Sequence, residues 1–156
     1  MAISELGWAT LTEAKGYFTN ERLEVIAWTA LTEDDTKNKV LNMAYNRLLY
    51  CPDYNAPAKG NETAAQKIQL IKAQCEMAYY LAMHLADEDR RKGLEAQGVM
   101  DAGIVKESYD KDLLNKLPIP PFVDALMEDF KTAVSFGVVD IDRDENEKVS
   151  KDVVDL

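Results

Sequence analysis

The sequence has few of the residues that build metal and catalytic sites. It contains one histidine and two cysteines in 156 residues. A structural zinc site usually takes about four Cys or His ligands, and a Ser-His-Asp triad would have to use His84. His84 falls on an amphipathic helical pattern, where a helix-surface or interface position is the expected one. We therefore predict no metal, no cofactor and no enzymatic activity.

Basic residues are also in the minority. The chain has 18 Lys and Arg against 28 Asp and Glu, a net charge of −10. Because DNA is held mainly by Lys and Arg that neutralise its phosphates, most of this surface is expected to repel DNA. The same charge would suit the wall of a channel through which DNA slides without sticking, provided that the acidic side chains face the channel.

Long apolar runs and leader signals are lacking as well. No apolar run approaches the roughly 20 residues of a transmembrane helix, so no membrane association is expected. The first residues, MAISELGWATLTEAK, have neither a basic start nor an apolar core, and we expect no secretion signal.

Cys75 lies on an apolar helical stripe and is predicted to be buried, whereas Cys51 precedes a proline at a helix end. A disulfide between the two is possible, but the spacing indicates no framework.

Common catalytic and nucleotide-binding motifs are missing, and one metal-like motif is incomplete. G-x-G-x-x-G, G-x-x-x-x-G-K-[ST], G-x-S-x-G and H-E-x-x-H do not occur. Asp142, Asp144 and Asn146 match the start of a calcium loop, but Glu147 replaces its glycine and Val153 its final acid. An acidic solvated tail is the preferred interpretation, and a calcium-responsive regulator is kept as an alternative.

Helical periodicity dominates what is present. Thr10 or Thr12 can cap a first helix, with Glu13 at capping-box spacing from Thr10. Thr32 is predicted to cap a third helix, and Pro120 with Pro121 suits the first turn of a last one. The predicted helices cover about residues 12–19, 21–31, 34–50 and 63–86, and the last begins at the two prolines. The charged run ADEDRRKGLEA at the end of the fourth is interpreted as a solvated helix tail or a loop.

The strongest pattern lies in the predicted helix over 63–86. One apolar stripe steps by three and four, and a second row widens it, so this helix is expected to be central. The aromatic residues Trp28, Tyr79, Tyr80 and Phe122 are predicted to be core or subunit contacts. The first stripe comprises Ile68, Ile71, Cys75, Ala78, Ala82 and Leu85, and the second row comprises Leu70, Met77 and Leu81.

Two segments break the helical pattern. GVMDAGIVKESYDKD, residues 98–112, carries two glycines and a period of two, which predicts a small β-hairpin near 98–110. TAVSFGVVDI, followed by a polar run, predicts an extended or disordered C-terminal arm over 131–156. The predicted fold is mainly α: a helical bundle of about four to five helices over residues 1–130, with a small β-hairpin and an extended C-terminal arm.

In this order, the pieces resemble a known family. TLTEAKGYF, LTEDDTKNKVLNMAYNRL, IKAQCEMAYYLA and PIPPFVDALMEDF follow one another with the glycine-flanked hairpin segment before the last. The sequence is similar over about residues 8–130 to the head-tail connector, or adaptor, proteins of tailed bacteriophages, often labelled DnaT-like. A loop reading CPDYNAPAKGNETAAQK stands where family members commonly carry a Trp-Pro-Arg-like element.

The resemblance implies a structural role. Such proteins form a ring, usually twelvefold, below the portal protein, extend the DNA channel and bind the next neck or tail protein. We would then expect a virion protein at the head-tail interface, present in the host cytoplasm during assembly, through which DNA passes without specific binding. The alternative is a single-stranded-DNA-binding replication accessory. The expected partner-binding residues are Ile104, Val105 and Tyr109 in the hairpin, and Phe136, Val138, Val139 and Ile141 in the arm.

Overall fold

The computed structural model describes residues 7–97, 101–102, 107–108 and 118–132. This part of the chain is mainly helical, as predicted. Its five α-helices are α1 (Leu11–Asn20), α2 (Ile26–Ala30), α3 (Asp34–Leu49), α4 (Ala64–Ala96) and α5 (Pro121–Leu126), and a 3₁₀ helix (Glu128–Phe130) follows.

Helix α1 begins as its capping sequence predicts. The Thr10 hydroxyl accepts a hydrogen bond from the Glu13 backbone N–H at 3.2 Å, and the Glu13 carboxylate accepts one from the Thr10 N–H at 2.8 Å. This reciprocal capping box pairs two backbone donors that the first turn leaves without helical partners. Ala14 and Phe18 then face the core.

The predicted helix over 21–31 is wrong for its first half. Only Ile26–Ala30 is helical, because residues 21–25 form a connection in which Glu24 bonds the Ile26 N–H at 2.8 Å and the Tyr79 hydroxyl. The predicted cap at Thr32 is also wrong. Glu33 occupies the cap position of α3, without a side-chain cap bond, and acidic residues fill the first turn.

Helix α4 is the centre of the molecule, as predicted, and α1, α2, α3 and α5 all pack against it. Both predicted rows contribute to its buried face. Leu70, Met77 and Leu81 of the second row are buried, and so are Cys75 and Ala78 of the first stripe, whereas Ile68 of the first stripe is exposed. Ala73, Gln74 and Tyr79 complete the buried surface.

Gln74 is a polar residue in this apolar face. Its side chain is fully buried and links three parts of the chain. The Ala9 N–H donates to Gln74 Oε1 at 2.8 Å, and Gln74 Nε2 donates to the Leu41 carbonyl at 2.9 Å. The side chain thereby ties α4 to α3 and to the segment that precedes α1, and it satisfies backbone groups that burial would otherwise leave unpaired.

The charged run after Ala86 is the helix tail rather than the loop of the two alternatives, and α4 extends ten residues beyond the periodic stretch. Its Glu, Arg, Lys, Leu and Ala residues are good helix formers. The i,i+4 pair of Glu88 and Lys92 lies 2.5 Å apart, and the same carboxylate is bound by Arg47 of α3. These contacts hold the second half of the helix against α3.

Helix α5 starts with Pro121 at a position that needs no N–H donor. Val123, Met127 and Phe130 are buried at spacings of four and three. Phe122 is off this stripe and 59% exposed, so it is not a core residue, because so short a helix buries a single face.

The β-hairpin predicted near 98–110 is not established. Asp101–Ala102 (β1) and Glu107–Ser108 (β2) pair antiparallel, with Asp101 opposite Ser108. A ladder of two residue pairs is too short to define a hairpin, and residues 98–100, 103–106 and 109–110 lie outside the described part. Of the predicted arm over 131–156, the structure describes Lys131 and Thr132.

Candidate interaction surface

The interface residues expected from the sequence cannot be placed. Ile104, Val105 and Tyr109 of the hairpin lie outside the described residues, and so do Phe136, Val138, Val139 and Ile141 of the arm. The calcium-like group of Asp142, Asp144 and Asn146 lies outside them too. These assignments remain predictions.

A groove is present at the end of the bundle where α1 ends and α3 begins. Its volume is about 590 Å³, and its floor consists of Phe18 of α1, Val25 just before α2 and Trp28 of α2. The Phe18 and Trp28 rings stack with their centres 4.3 Å apart, and both rings are buried. We call this feature the α1–α3 groove; its apolar floor is continuous with the hydrophobic core.

Cations border the α1–α3 groove. Lys15, Arg22 and Lys37 line it, and no carboxylate does so among the described residues. In a chain of net charge −10, this concentration of positive charge is local. The sequence shows no run of basic residues here, because the three cations come from α1, the α1–α2 connection and α3.

Each cation is held in place by a neighbour. Lys15 Nζ lies 2.8 Å from Asp34 Oδ1, and Arg22 pairs with Glu76. The Arg22 guanidinium also stacks over the ring of Tyr79 at 3.6 Å.

Lys37 is the third cation of the groove. Its Nζ lies 5.4 Å from the centre of the Trp28 ring, a cation–π distance. The hydrogen bond from Lys15, helped by the charge of Lys37, holds the pKa of the Asp34 carboxyl below its ordinary value. The groove therefore combines an apolar floor with a border of three cations, two of which, Lys15 and Arg22, are already paired with carboxylates.

Two large apolar side chains stand in solvent beside the groove. Leu23 is 101% exposed and lines the groove, and Ile26 is 75% exposed. Single exposed apolar residues are ordinary, but two so close together in sequence and next to an apolar groove mark a candidate contact site. Sequence reasoning assigned residues 21–31 to a helix and missed them; the signal was an isolated leucine between Arg22 and Glu24.

At the other end of α3, the last described residues are fastened to the α3–α4 connection. Tyr54 and Lys131 form an antiparallel bridge, and the Thr132 N–H donates to the Asp53 carbonyl at 2.9 Å. The Tyr54 hydroxyl donates to Asp124 Oδ1 at 2.7 Å. Bonds from Lys131 and Tyr54 hold the pKa of the Asp124 carboxyl below its ordinary value. The point from which residues 133–156 continue is thus defined.

His84 lies at a second, more polar cavity of about 400 Å³, whose described lining includes Tyr80, Asp87, Glu88 and Arg91. His84 is exposed, with its ring 5.0 Å from that of Tyr80. The prediction of a helix-surface histidine is confirmed. No group of three or more His, Cys, Asp or Glu residues that could hold a metal occurs in the described ranges.

Within the described residues, no helix is both long enough and apolar enough to cross a membrane. Comparison with protein-family models, curated proteins and solved structures finds no match to this chain.

Proposed function

We propose that this protein is a non-enzymatic virion assembly protein, a head-tail connector that forms a ring below a phage portal and joins it to the next neck or tail protein. The ordered resemblance over residues 8–130 supports this proposal. The helical bundle around α4 agrees with the mainly α architecture that the resemblance implies.

The observation that carries the proposal is the placement of two candidate attachment points at opposite ends of α3. The groove, with Leu23 at its edge, lies near the start of α3, which contributes Lys37 to its lining. At the other end, the Thr132 N–H is bound to the Asp53 carbonyl, four residues beyond the end of α3. A connector needs two separate contact regions on one rigid body, because a ring subunit meets a neighbour through unlike faces and also meets a partner above or below. Buried Gln74 and the Arg47–Glu88 pair stiffen the helices between these points.

The charge of the chain fits the same role. Residues 133–156 alone contain seven acidic and three basic residues. In a ring whose inner wall carries such side chains, DNA would pass without adhering, since like charges repel. The proposed arm over 131–156 would reach the portal, and the proposed hairpin near 98–110 would pack between neighbouring subunits.

The alternative function, single-stranded-DNA binding, has one feature in its favour. Aromatic residues do lie among cations in the α1–α3 groove, which the sequence did not suggest. However, Phe18, Trp28 and Tyr79 are all buried, and Phe18 and Trp28 stack on each other. Bases bind by stacking on exposed ring faces, so these rings offer little to a nucleic acid.

The proposal is tested by electron microscopy of the full chain mixed with the portal protein of the same phage or prophage. Ring-shaped density on the portal is expected for the wild type. Leu23→Glu combined with Ile26→Glu should abolish it, because a carboxylate at an apolar contact must be desolvated. Ile68→Glu combined with Met83→Glu, at two other exposed apolar residues, is the matched control for added charge. If the wild-type chain leaves the portal unchanged, the proposal is wrong.

Filter binding with single-stranded DNA at low salt separates the alternative. Tight binding that falls steeply with salt and is lost in Lys15→Glu with Lys37→Glu would favour the replication accessory. The connector predicts weak binding that these substitutions do not change.

A further inference from the structure

We propose that the α1–α3 groove is a docking site for residues 136–142 of the same chain, FGVVDID. Two independent properties of the groove, its charge and its position relative to Thr132, select this occupant. Docking of this segment is a property of the free chain, so it holds or fails whether or not the protein joins a portal.

Charge complementarity is the first argument. The described lining of the groove contains Lys15, Arg22 and Lys37 and no carboxylate. Lys15 and Arg22 already pair with Asp34 and Glu76, so Lys37 is the cation that a docked carboxylate would meet. The apolar surface that a ligand could cover comes mainly from Leu23 and Val25, because the Phe18 and Trp28 rings beneath them are buried. A matching ligand is both apolar and acidic. Within this acidic chain, residues 136–142 combine four large apolar side chains with two carboxylates and contain no basic residue.

The order of residues in the segment fits the groove. Val139 and Ile141 alternate with Asp140 and Asp142. In an extended chain successive side chains point to opposite sides, so two apolar side chains would face the floor while two carboxylates turn towards the bordering cations. The groove volume of about 590 Å³ lies within the range of about 300–1,000 Å³ that is usual for ligand sites.

Reach is the second argument. Thr132 is bound to Asp53 just after α3 ends, and the groove includes Lys37 near the start of α3. Along a helix rising about 1.5 Å per residue, these points are roughly 20 Å apart. Six extended residues span about the same distance, so Val138 is about the first residue after Thr132 that can reach the groove.

The tether also favours the same chain over a second copy. A groove this small offers few contacts and would hold a free peptide weakly, because association costs several kcal/mol of lost translational and rotational freedom. A segment tied a few residues away has an effective concentration in the millimolar range. Docking would cover Leu23 and the apolar floor in the isolated molecule, and a partner that binds the arm would expose them.

Disulfide trapping in the full-length chain tests the proposal. Leu23→Cys places a thiol at the groove, and Val139→Cys places one in the segment; the native Cys51 and Cys75 are buried and do not compete. At about 1 µM protein, where tethered contacts dominate, we expect an intramolecular disulfide, identified by peptide mass mapping.

Ile68→Cys with Val139→Cys is the matched control. Ile68 is 62% exposed and adjoins Gln69, which hydrogen-bonds the Leu126 carbonyl near the end of the described chain. A segment that moves freely from Thr132 would therefore meet a thiol at position 68 at least as often as one at position 23. We expect the Leu23→Cys variant to cross-link at least about tenfold faster than the Ile68→Cys control; equal rates would overturn the proposal. Covalent dimers as the main product would overturn docking within one chain and assign the segment to a second copy.

Charge reversal gives a second readout. Lys37→Glu should slow the cross-link between the thiols introduced at positions 23 and 139 several-fold, and adding Asp140→Lys should restore it. Circular dichroism and thermal melting of each variant check that the helices are intact. If Lys37→Glu leaves the cross-linking rate unchanged in a folded protein, the charge argument fails and the proposal is overturned.

Discussion

The guanidinium of Arg47 and the carboxylate of Glu88 form a two-pronged ion pair that joins α3 to α4. The two N–O distances are 2.9 and 3.0 Å, and both side chains are largely buried. Burial raises the pKa of the Glu88 carboxyl, but hydrogen bonds from Arg47 and Lys92 outweigh it, and the net pKa lies below the ordinary value of 4.5. A carboxyl with a lowered pKa stabilises the fold above its unfolded pKa and loses that contribution as the pH falls through its folded pKa.

Glu88→Gln is therefore expected to destabilise the protein in a pH-dependent manner. At neutral pH it should lower the free energy of unfolding by about 3 kcal/mol, because Arg47 is left buried without its counter-charge. Well below pH 4.5 the wild-type carboxyl is itself protonated, and the difference should shrink towards zero. Urea unfolding of the wild type and the variant, at neutral pH and at a pH well below 4.5, measures this difference in the free energy of unfolding. Asp89→Asn, at an exposed neighbour, is the control; a gap that stays constant with pH would contradict the prediction.

Gly7 is required by the ring of Tyr45. Its φ is +70°, and a Cβ built on it would lie 2.4 Å from Tyr45 Cγ. We expect Gly7→Ala to lower the free energy of unfolding by about 2–4 kcal/mol, from backbone strain together with overpacking. Thermal and urea unfolding provide the measurement. Gly16→Ala, in α1 with open space around it, should instead raise stability by about 0.5–1 kcal/mol. Equal effects of the two substitutions would show that Gly7 needs no special backbone.

Gln74 is expected to matter through its hydrogen bonds rather than its volume. Gln74→Leu keeps a similar size but removes the acceptor of the buried Ala9 N–H, which should cost about 1–3 kcal/mol in urea unfolding. Hydrogen exchange should also quicken at Ala9. Gln66→Leu, on the same helix, removes a bond to the exposed Thr63 N–H and should cost less than half as much. A stabilised Gln74→Leu variant would mean that the network adds nothing to folding.

The two thiols are expected to be unreactive in the folded protein. Burial raises the pKa of Cys75 to about 12 and, to a lesser extent, raises that of Cys51. Because the thiolate is the reacting form, a disulfide reagent at about pH 8 should titrate neither cysteine until the chain unfolds, and then both. Fast reaction of one thiol in the native protein would show that the segment carrying it opens locally.

Some of the fold could be read from local sequence. The capping box of Thr10 and Glu13, the proline start of α5 and the helical periods of α3 and α4 were correctly predicted because each depends on residues within one or two turns. The charged run after Ala86 could be either a helix tail or a loop from its sequence, because it has no apolar periodicity. In the structure it is helical, and Arg47, far away in sequence, pairs with its Glu88.

The orientation of α4 shows why periodicity was insufficient. The helix is apolar around much of its girth, and its own sequence does not say which of its apolar residues the neighbouring helices will cover. The structure buries Leu70 and Met77 together with Cys75, and it leaves Ile68 in solvent. Only the packing of the neighbouring helices makes that choice.

By itself, the sequence determined that the chain is acidic, mainly helical and centred on the helix that became α4, because charge and periodicity are properties of neighbouring residues. Tertiary structure alone decided that Lys15, Arg22 and Lys37 border one apolar groove, and that Thr132 is bound beside Asp53 at the far end of α3. Contacts between residues dozens of positions apart leave no local pattern, since they arise from the way whole helices pack.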